Sequence, residues 1–286
     1  MLSRAIPTRD LSRVLPARTR TRAILTLGET LVFADLALAR RLESAEAANA
    51  RGCTAIHPEA ATMDVAGGCA VFVGADSPLT HAMGIGLNGR VREDEIDAME
   101  TFFRSRGAGV AIDLCPLADA GLLPILAERG YRVTEFSNVL VKRMAGTAMV
   151  FTPRVRRALP DEIDLWSHTV GRGFFEQAEL TTEEMDVGRA IWAMPGALCY
   201  LATAGEPAGG AAAAIYGGLA TLFADSTVAC HRRSGLHGEL IAARLNEALA
   251  QGCDLAMAST LPGSGSQRNY ERLGFEVVYT RATLIA

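Results

Sequence analysis

One pattern, helix–glycine–strand–proline–helix–glycine–strand, occurs twice in this chain and constrains its fold more than any other feature. In the first half, Glu93, Asp94 and Glu95 place carboxylates where a helix start carries partial positive charge. Ile96, Met99 and Phe103 follow at helical spacing, which predicts an amphipathic helix ended by Gly107. A strand is predicted over residues 110–114, a turn at Pro116, a second helix over 122–128 stopped at Gly130, and a strand near 139–141. The second half repeats the order. Leu240, Ile241, Leu245 and Leu249 form a helical stripe ended by Gly252. Residues 255–258 follow as a strand, Pro262 as a turn, 267–272 as a short helix, and Gly274-Phe275 leads into a strand at 277–279. Gly107 and Gly130 are 23 positions apart, Gly252 and Gly274 are 22 apart, and the shared order and spacing predict two copies of one α/β unit.

A length of 286 residues accommodates two modest domains. Small residues, prolines and arginines around 145–160 mark the crossing, with the boundary expected near Gly146. The expected organisation is a leader over residues 1–25, a first domain over 26–145 and a second over 146–286. The leader is arginine-rich and lacks the apolar stretch of a secretory signal. Residues 197–204, 208–216 and 219–229 read as an antiparallel meander, and 81–87 as a strand of the first half. A net charge of −4 argues against nucleic acid as a partner, and no apolar run is long enough to span a bilayer. The six cysteines form no C-x-x-C pair and no metal spacing, so they are expected to be small buried hydrophobes in a reducing compartment, the cytoplasm. No metal is expected.

The third strand of the meander feeds Cys230-His231-Arg232-Arg233-Ser234-Gly235-Leu236-His237-Gly238 and then a helix. Unpaired amides at a helix start, the helix dipole, two glycines that permit close approach and two arginines together suit a pyrophosphate. An ordinary strand–helix connection with solvent-facing arginines has the same composition.

Arg232 to His237 resembles the Q/R-x-x-G-x-G/A motif of the GNAT superfamily of N-acetyltransferases. Asn269-Tyr270-Glu271-Arg272-Leu273-Gly274-Phe275 resembles that family's Y-x-x-x-G-F segment, and residues 155–162 its opening strand and first helix start. The resemblance covers residues 152–286, with His237 standing where the family has Gly or Ala. The first half resembles the family more faintly and has no such loop. The fold class implied is therefore α/β (α+β): two GNAT-like domains in tandem, the first degenerate, each a mixed, mostly antiparallel sheet flanked by helices.

The resemblance also implies a chemistry, an N-acetyltransferase in which an acceptor amine attacks the thioester of acetyl-CoA directly. The cofactor would be held by Thr227, Val228, Arg232, Arg233, Ser234, Gly235, Leu236, His237, Gly238 and Asn269. A backbone amide near Thr227–Val228 would face the thioester carbonyl. Tyr270 would be the general acid, or else a packing tyrosine; Asn269 would hold pantetheine, or else cap a helix. The general base is not visible; Asp225, Glu176, Glu179 and His168 are weak candidates, each more often a solvated or packing residue, as is His231. Gly171-Arg172-Gly173-Phe174-Phe175 reads as a loop anchored in the core by its aromatics, or as a mobile wall over the acceptor; Trp166 and Trp192 are expected in the core. The acceptor would be an amine of a small molecule or peptide, and the protein a monomer or homodimer. The reading of a different class is a non-catalytic acyl-CoA binding or sensing protein.

Overall fold

The computed structural model describes residues 34–286 apart from 56, 147 and 150–152. The expected leader lies outside the described residues. The described chain forms α1 (Leu36–Gly52), β1 (Ala61–Val65), β2 (Gly68–Phe72), β3 (His81–Met83), α2 (Glu93–Arg104), β4 (Ala111–Leu114), α3 (Leu122–Glu128) and β5 (Arg132–Arg143). It continues with β6 (Val155–Arg157), α4 (Ile163–Phe175), α5 (Thr182–Trp192), β7 (Leu198–Thr203), β8 (Pro207–Tyr216) and β9 (Leu219–Thr227). A 3-10 turn (Ala229–His231), α6 (Leu236–Ala250), β10 (Leu255–Thr260), α7 (Gly265–Arg272) and β11 (Glu276–Ile285) complete it.

Local signals set most of these boundaries. α2 starts where Glu95 folds back to accept from the Arg92 amide at 3.0 Å. α7 starts where the Ser264 hydroxyl accepts from the Gln267 amide at 3.1 Å. The strand expected over 81–87 stops at Met83, because Gly84 (φ 69°) and Gly86 (φ 75°) enter the left-handed region and break the ladder. The strands expected at 139–141 and 277–279 run instead for 12 and 10 residues. Their ends are largely exposed, so the apolar signal marked only part of each.

All eleven strands share one sheet, in the order β1-β2-β3-β4-β11-β5-β10-β9-β8-β7-β6. β11, the last strand of the chain, lies between β4 and β5, and β5 lies between β11 and β10. Each half thus sends its closing strand into the position beside the other half's strand, with Ile285 opposite Ala111 and Thr260 opposite Asn138. Backbone hydrogen bonds interleave the halves at the centre of the sheet.

Alternation along β10 divides the core. Leu255 and Met257 face α1 with Leu42, Val139 and Tyr279. Ala256 and Ala258 face the other side with Ile241 and Leu245 of α6 and Tyr270 of α7. The first half has its own core, where Ile96, Met99 and Phe103 of α2 meet Leu122 and Leu126 of α3. Trp166 is fully buried, as expected, whereas Trp192, also expected in the core, is only partly buried and packs against it from the cluster's edge.

Candidate functional site

β9 and β10 run parallel only from Leu219 to Leu222 and from Leu255 to Ala258; beyond Leu222 the ladder ends and the strands are no longer paired. Just past that point β9 carries a bulge, with Ala224 at φ 55° and a register slip against β8. The chain then passes through the 3-10 turn into α6, and Arg233 (φ 63°) and Gly235 (φ 88°) both take left-handed backbone to make the corner.

That corner leaves six consecutive amides, those of residues 233–238, without an acceptor among the described residues. They lie at the positive end of a 15-residue helix. The Arg233 guanidinium is exposed and has no ion-pair partner among the described residues. Arg154 approaches from just ahead of β6, donating to the Ser234 carbonyl at 3.2 Å and pairing with Glu239. No heavy atom lies within 4 Å of where a Cβ on Gly238 would sit, so this part of the helix start is open. Backbone amides converging on open space beside cationic side chains form an anion cradle.

The corresponding corner of the first half is occupied by the protein's own carboxylates. Asp119 accepts from the amides of Val91 at 2.9 Å and Gly121 at 3.2 Å, while Glu95 takes that of Arg92. The Asp119 amide in turn donates to Gly86 at 2.8 Å.

Beside the second-half loop, side chains from three elements converge in a buried polar cluster. Asp225 of β9 pairs with Arg244 of α6, which is fully buried and also donates to the carbonyls of Ala212 (2.9 Å), Leu240 (3.0 Å) and Phe223 (3.3 Å). The Tyr270 hydroxyl of α7 donates to the other Asp225 oxygen at 2.5 Å. His237 Nε2 lies 3.1 Å from Asp225, though at an angle that makes no hydrogen bond, and Asn269 contacts His237 Nδ1 at 2.9 Å. Burial pushes the Asp225 carboxyl up, but Arg244 and then His237 outweigh it and hold the group well below the usual carboxylate range. Burial also dominates at Tyr270 and raises its phenol well above 10.

The structure brings Arg233, Ser234, Gly235, Leu236, His237 and Gly238 together as the amide cradle, with the Leu236 side chain in the core. The His237 ring turns inward to Asp225 and Asn269, so its amide stands in the cradle unobstructed by its own side chain. Other expected residues are engaged elsewhere. Arg232 clamps the end of α4 instead of standing over the loop: it donates to Thr227 O (3.2 Å), Gly173 O (3.0 Å) and Glu176 (2.6 Å). The Val228 amide donates to Ala208 at 2.9 Å and continues the β8 ladder. Glu176 is the left-handed C-cap of α4, Glu179 is exposed, His168 is half-buried on α4 and His231 contacts Glu206 at 3.0 Å.

Three expectations need correction. Asp225 is not a solvated strand acid but the buried partner of Arg244. Phe174 and Phe175 do not anchor a core loop; they are 58% and 38% exposed, because α4 continues to Phe175 and presents them beyond the sheet. Cys230 is exposed in the 3-10 turn, whereas the other five cysteines are buried. Arg154 and Arg244 escaped the sequence reading because a lone arginine outside a motif gives no sign of the loop or carboxylate it will meet.

An interleaved tandem sheet with a splayed parallel pair, a strand bulge and an amide-lined helix start is the GNAT fold in tandem form. Among solved structures, the chain is similar to a GCN5-related N-acetyltransferase from Kribbella flavida, with a TM-score of 0.64 at 19% identity over 87% of this chain and 95% of that one. It is also similar to a tandem GNAT protein from the clavulanic acid biosynthesis pathway, with a TM-score of 0.57 at 16% identity over 88% and 94%. A GCN5-related N-acetyltransferase from Sphaerobacter thermophilus gives 0.53 at 14% identity over 72% and 71%. At these identities the likeness is one of fold. No family model matches the sequence, and no curated protein matches it.

Proposed function

We propose that this protein is an acyl-CoA-dependent N-acyltransferase, with acetyl-CoA as donor and an amine of a small molecule or peptide as acceptor. The observation that carries the reading is the run of six amides at the start of α6 that have no acceptor among the described residues. Such a run matches a diphosphate, whose oxygens accept several hydrogen bonds at once. The unpaired stretch of β9 past Leu222 supports it, since an exposed strand edge can take an extended pantetheine arm as an added strand. In the reaction the amine nitrogen attacks the thioester carbonyl carbon, the C–S bond breaks, the nitrogen loses a proton and the thiolate gains one. Tyr270 is assigned as donor of that last proton, a role it can fill only by giving up its bond to Asp225.

The same bond favours the second reading, a protein that binds acyl-CoA without turning it over. A phenol proton held by a buried carboxylate is a poor donor to a thiolate whose conjugate acid has a pKa of about 8.5. Two measurements test both readings. Acetyl-CoA at a hundredfold excess over its Kd should stabilise the protein by about 2.7 kcal/mol, and Arg233→Glu should remove the effect. Thiol release over a panel of amines then separates enzyme from binder. A wild-type shift retained in both Arg233→Glu and Gly238→Asp would place the cofactor elsewhere.

A further inference from the structure

The corner at the start of α6 carries more positive charge than a diphosphate needs. Three arginines in or beside it are neutralised by the chain's own carboxylates: Arg154 by Glu239, Arg232 by Glu176 and Arg244 by Asp225. Three others, Arg233 in the cradle and Arg268 and Arg272 on α7, are exposed and have no ion-pair partner among the described residues. The chain as a whole has a net charge of −4, so this surplus is local. A diphosphate joining two groups carries two negative charges, and the six amides, the helix start and Arg233 suffice for them. Arg268 and Arg272 are left over.

One side chain ties Arg272 to the cradle. Asn269 Nδ2 lies 2.9 Å from His237 Nδ1, and Asn269 Oδ1 accepts from Arg272 Nη1 at 2.8 Å. The Arg272 guanidinium is therefore two hydrogen bonds from His237, whose own amide belongs to the cradle. Arg268 precedes Arg272 by four positions, one helical turn, so both leave the same face of α7. The one acid of α7, Glu271, accepts from Gln267 at 2.6 Å and pairs with neither arginine. A cation in the last turn of a helix can simply answer the helix dipole. Arg272 instead turns back to Asn269, and among the described residues it donates to no carbonyl at the end of α7.

Resting on the reading of this corner as the coenzyme-A site, we propose that Arg272 and Arg268 take the phosphomonoester that coenzyme A bears on its ribose, with Asn269 positioning Arg272. Only the ribose separates that group from the diphosphate. A ligand seated on the amides therefore presents it to an element beside the helix start, where Asn269 holds α7. A guanidinium tethered through one nitrogen keeps its other donors for phosphate oxygens, and two arginines match a monoester of about two negative charges. The protein then selects coenzyme A over its dephospho form.

The test is calorimetry on the full chain with acetyl-CoA and with acetyl-dephospho-CoA. Wild type should bind acetyl-CoA at least tenfold tighter, by a ratio that shrinks as salt is raised. Arg272→Met is a surface change and should leave the Tm of the free protein as in wild type. It should weaken acetyl-CoA at least fivefold and leave acetyl-dephospho-CoA within twofold, and adding Arg268→Met should bring the two ligands to equal affinity. Asn269→Ala keeps every charge, so a ratio lowered through loss of acetyl-CoA affinity alone marks its positioning role; equal weakening of both ligands would overturn that role. Inorganic phosphate alone, at the concentration where acetyl-CoA raises Tm, should not raise it. A phosphate shift that Arg272→Met removes, with the two coenzymes bound alike, would place a free anion there and overturn the proposal. Equal affinity of wild type for both coenzymes, or a ratio unchanged in the double variant, would overturn the subsite and leave the cofactor reading standing. Binding of neither coenzyme would overturn both.

Discussion

Replacing Arg244 with methionine tests whether the Asp225 cluster is held by charge. The guanidinium is fully buried and donates to three backbone carbonyls as well as to Asp225. Methionine fills much of the volume but leaves Asp225 with Tyr270 as its one remaining hydrogen-bond donor among the described residues. Breaking a buried ion pair on one side costs about 3–5 kcal/mol, a large part of the roughly 5–15 kcal/mol that stabilises a domain. The sign of the pH dependence follows from the same contacts. With Arg244 present the folded-state pKa of Asp225 is depressed, so its contribution is present above about pH 4 and lost as pH falls further. Without Arg244 the largest of the depressing influences is lost, and burial, the largest influence of all, is expected to lift the folded-state pKa above the unfolded value against what His237 and Tyr270 still supply. The penalty is then full at high pH and shrinks as pH falls through the raised pKa towards about 4. Urea unfolding at pH 7 and pH 5 should therefore show a smaller difference from wild type at pH 5. Adding Asp225→Asn to the variant at pH 7 should restore at least about 1 kcal/mol. A loss under about 1 kcal/mol, unchanged between the two pH values and unrelieved by Asp225→Asn, would refute the argument.

Three further outcomes are expected. Tyr270→Phe removes a hydrogen bond to a charged group and should cost about 1.5–3 kcal/mol in unfolding experiments; if the hydroxyl is also the acid, kcat falls far more than KM changes. Gly238→Asp puts a carboxylate in the first turn of α6 where there is open space, so unfolding of the free protein should show unchanged or slightly raised stability, by about 0.3–1 kcal/mol, while the acetyl-CoA shift disappears. In a thiol titration of the native protein one cysteine, Cys230, should react quickly and the other five only after unfolding. Burial removes those five from solvent and pushes the thiols of Cys53 and Cys199 up to about 12 and that of Cys115 to about 11.

The repeat was legible because it rests on contiguous residues. The spacing of Ile96, Met99 and Phe103 names a buried helix face without knowledge of what covers it, and all three are buried. Gly107, Gly130, Gly252 and Gly274 mark left-handed positions, and all four adopt positive φ. The amide cradle was legible for the same reason, since the glycines and the helix start that make it lie within seven residues. No local pattern shows that β11 enters the other half's sheet, because a strand's sequence states which face is apolar and not which edge it joins. Nor does the sequence show that Asp119 fills the first-half corner, that Arg232 turns to α4, or that Arg244 reaches Asp225. Periodicity, caps and turn residues act over a few positions, and the sequence alone determined them. Which strand meets which, and which charge is buried against which, depends on contacts between residues far apart in the chain, and only the tertiary structure decided those.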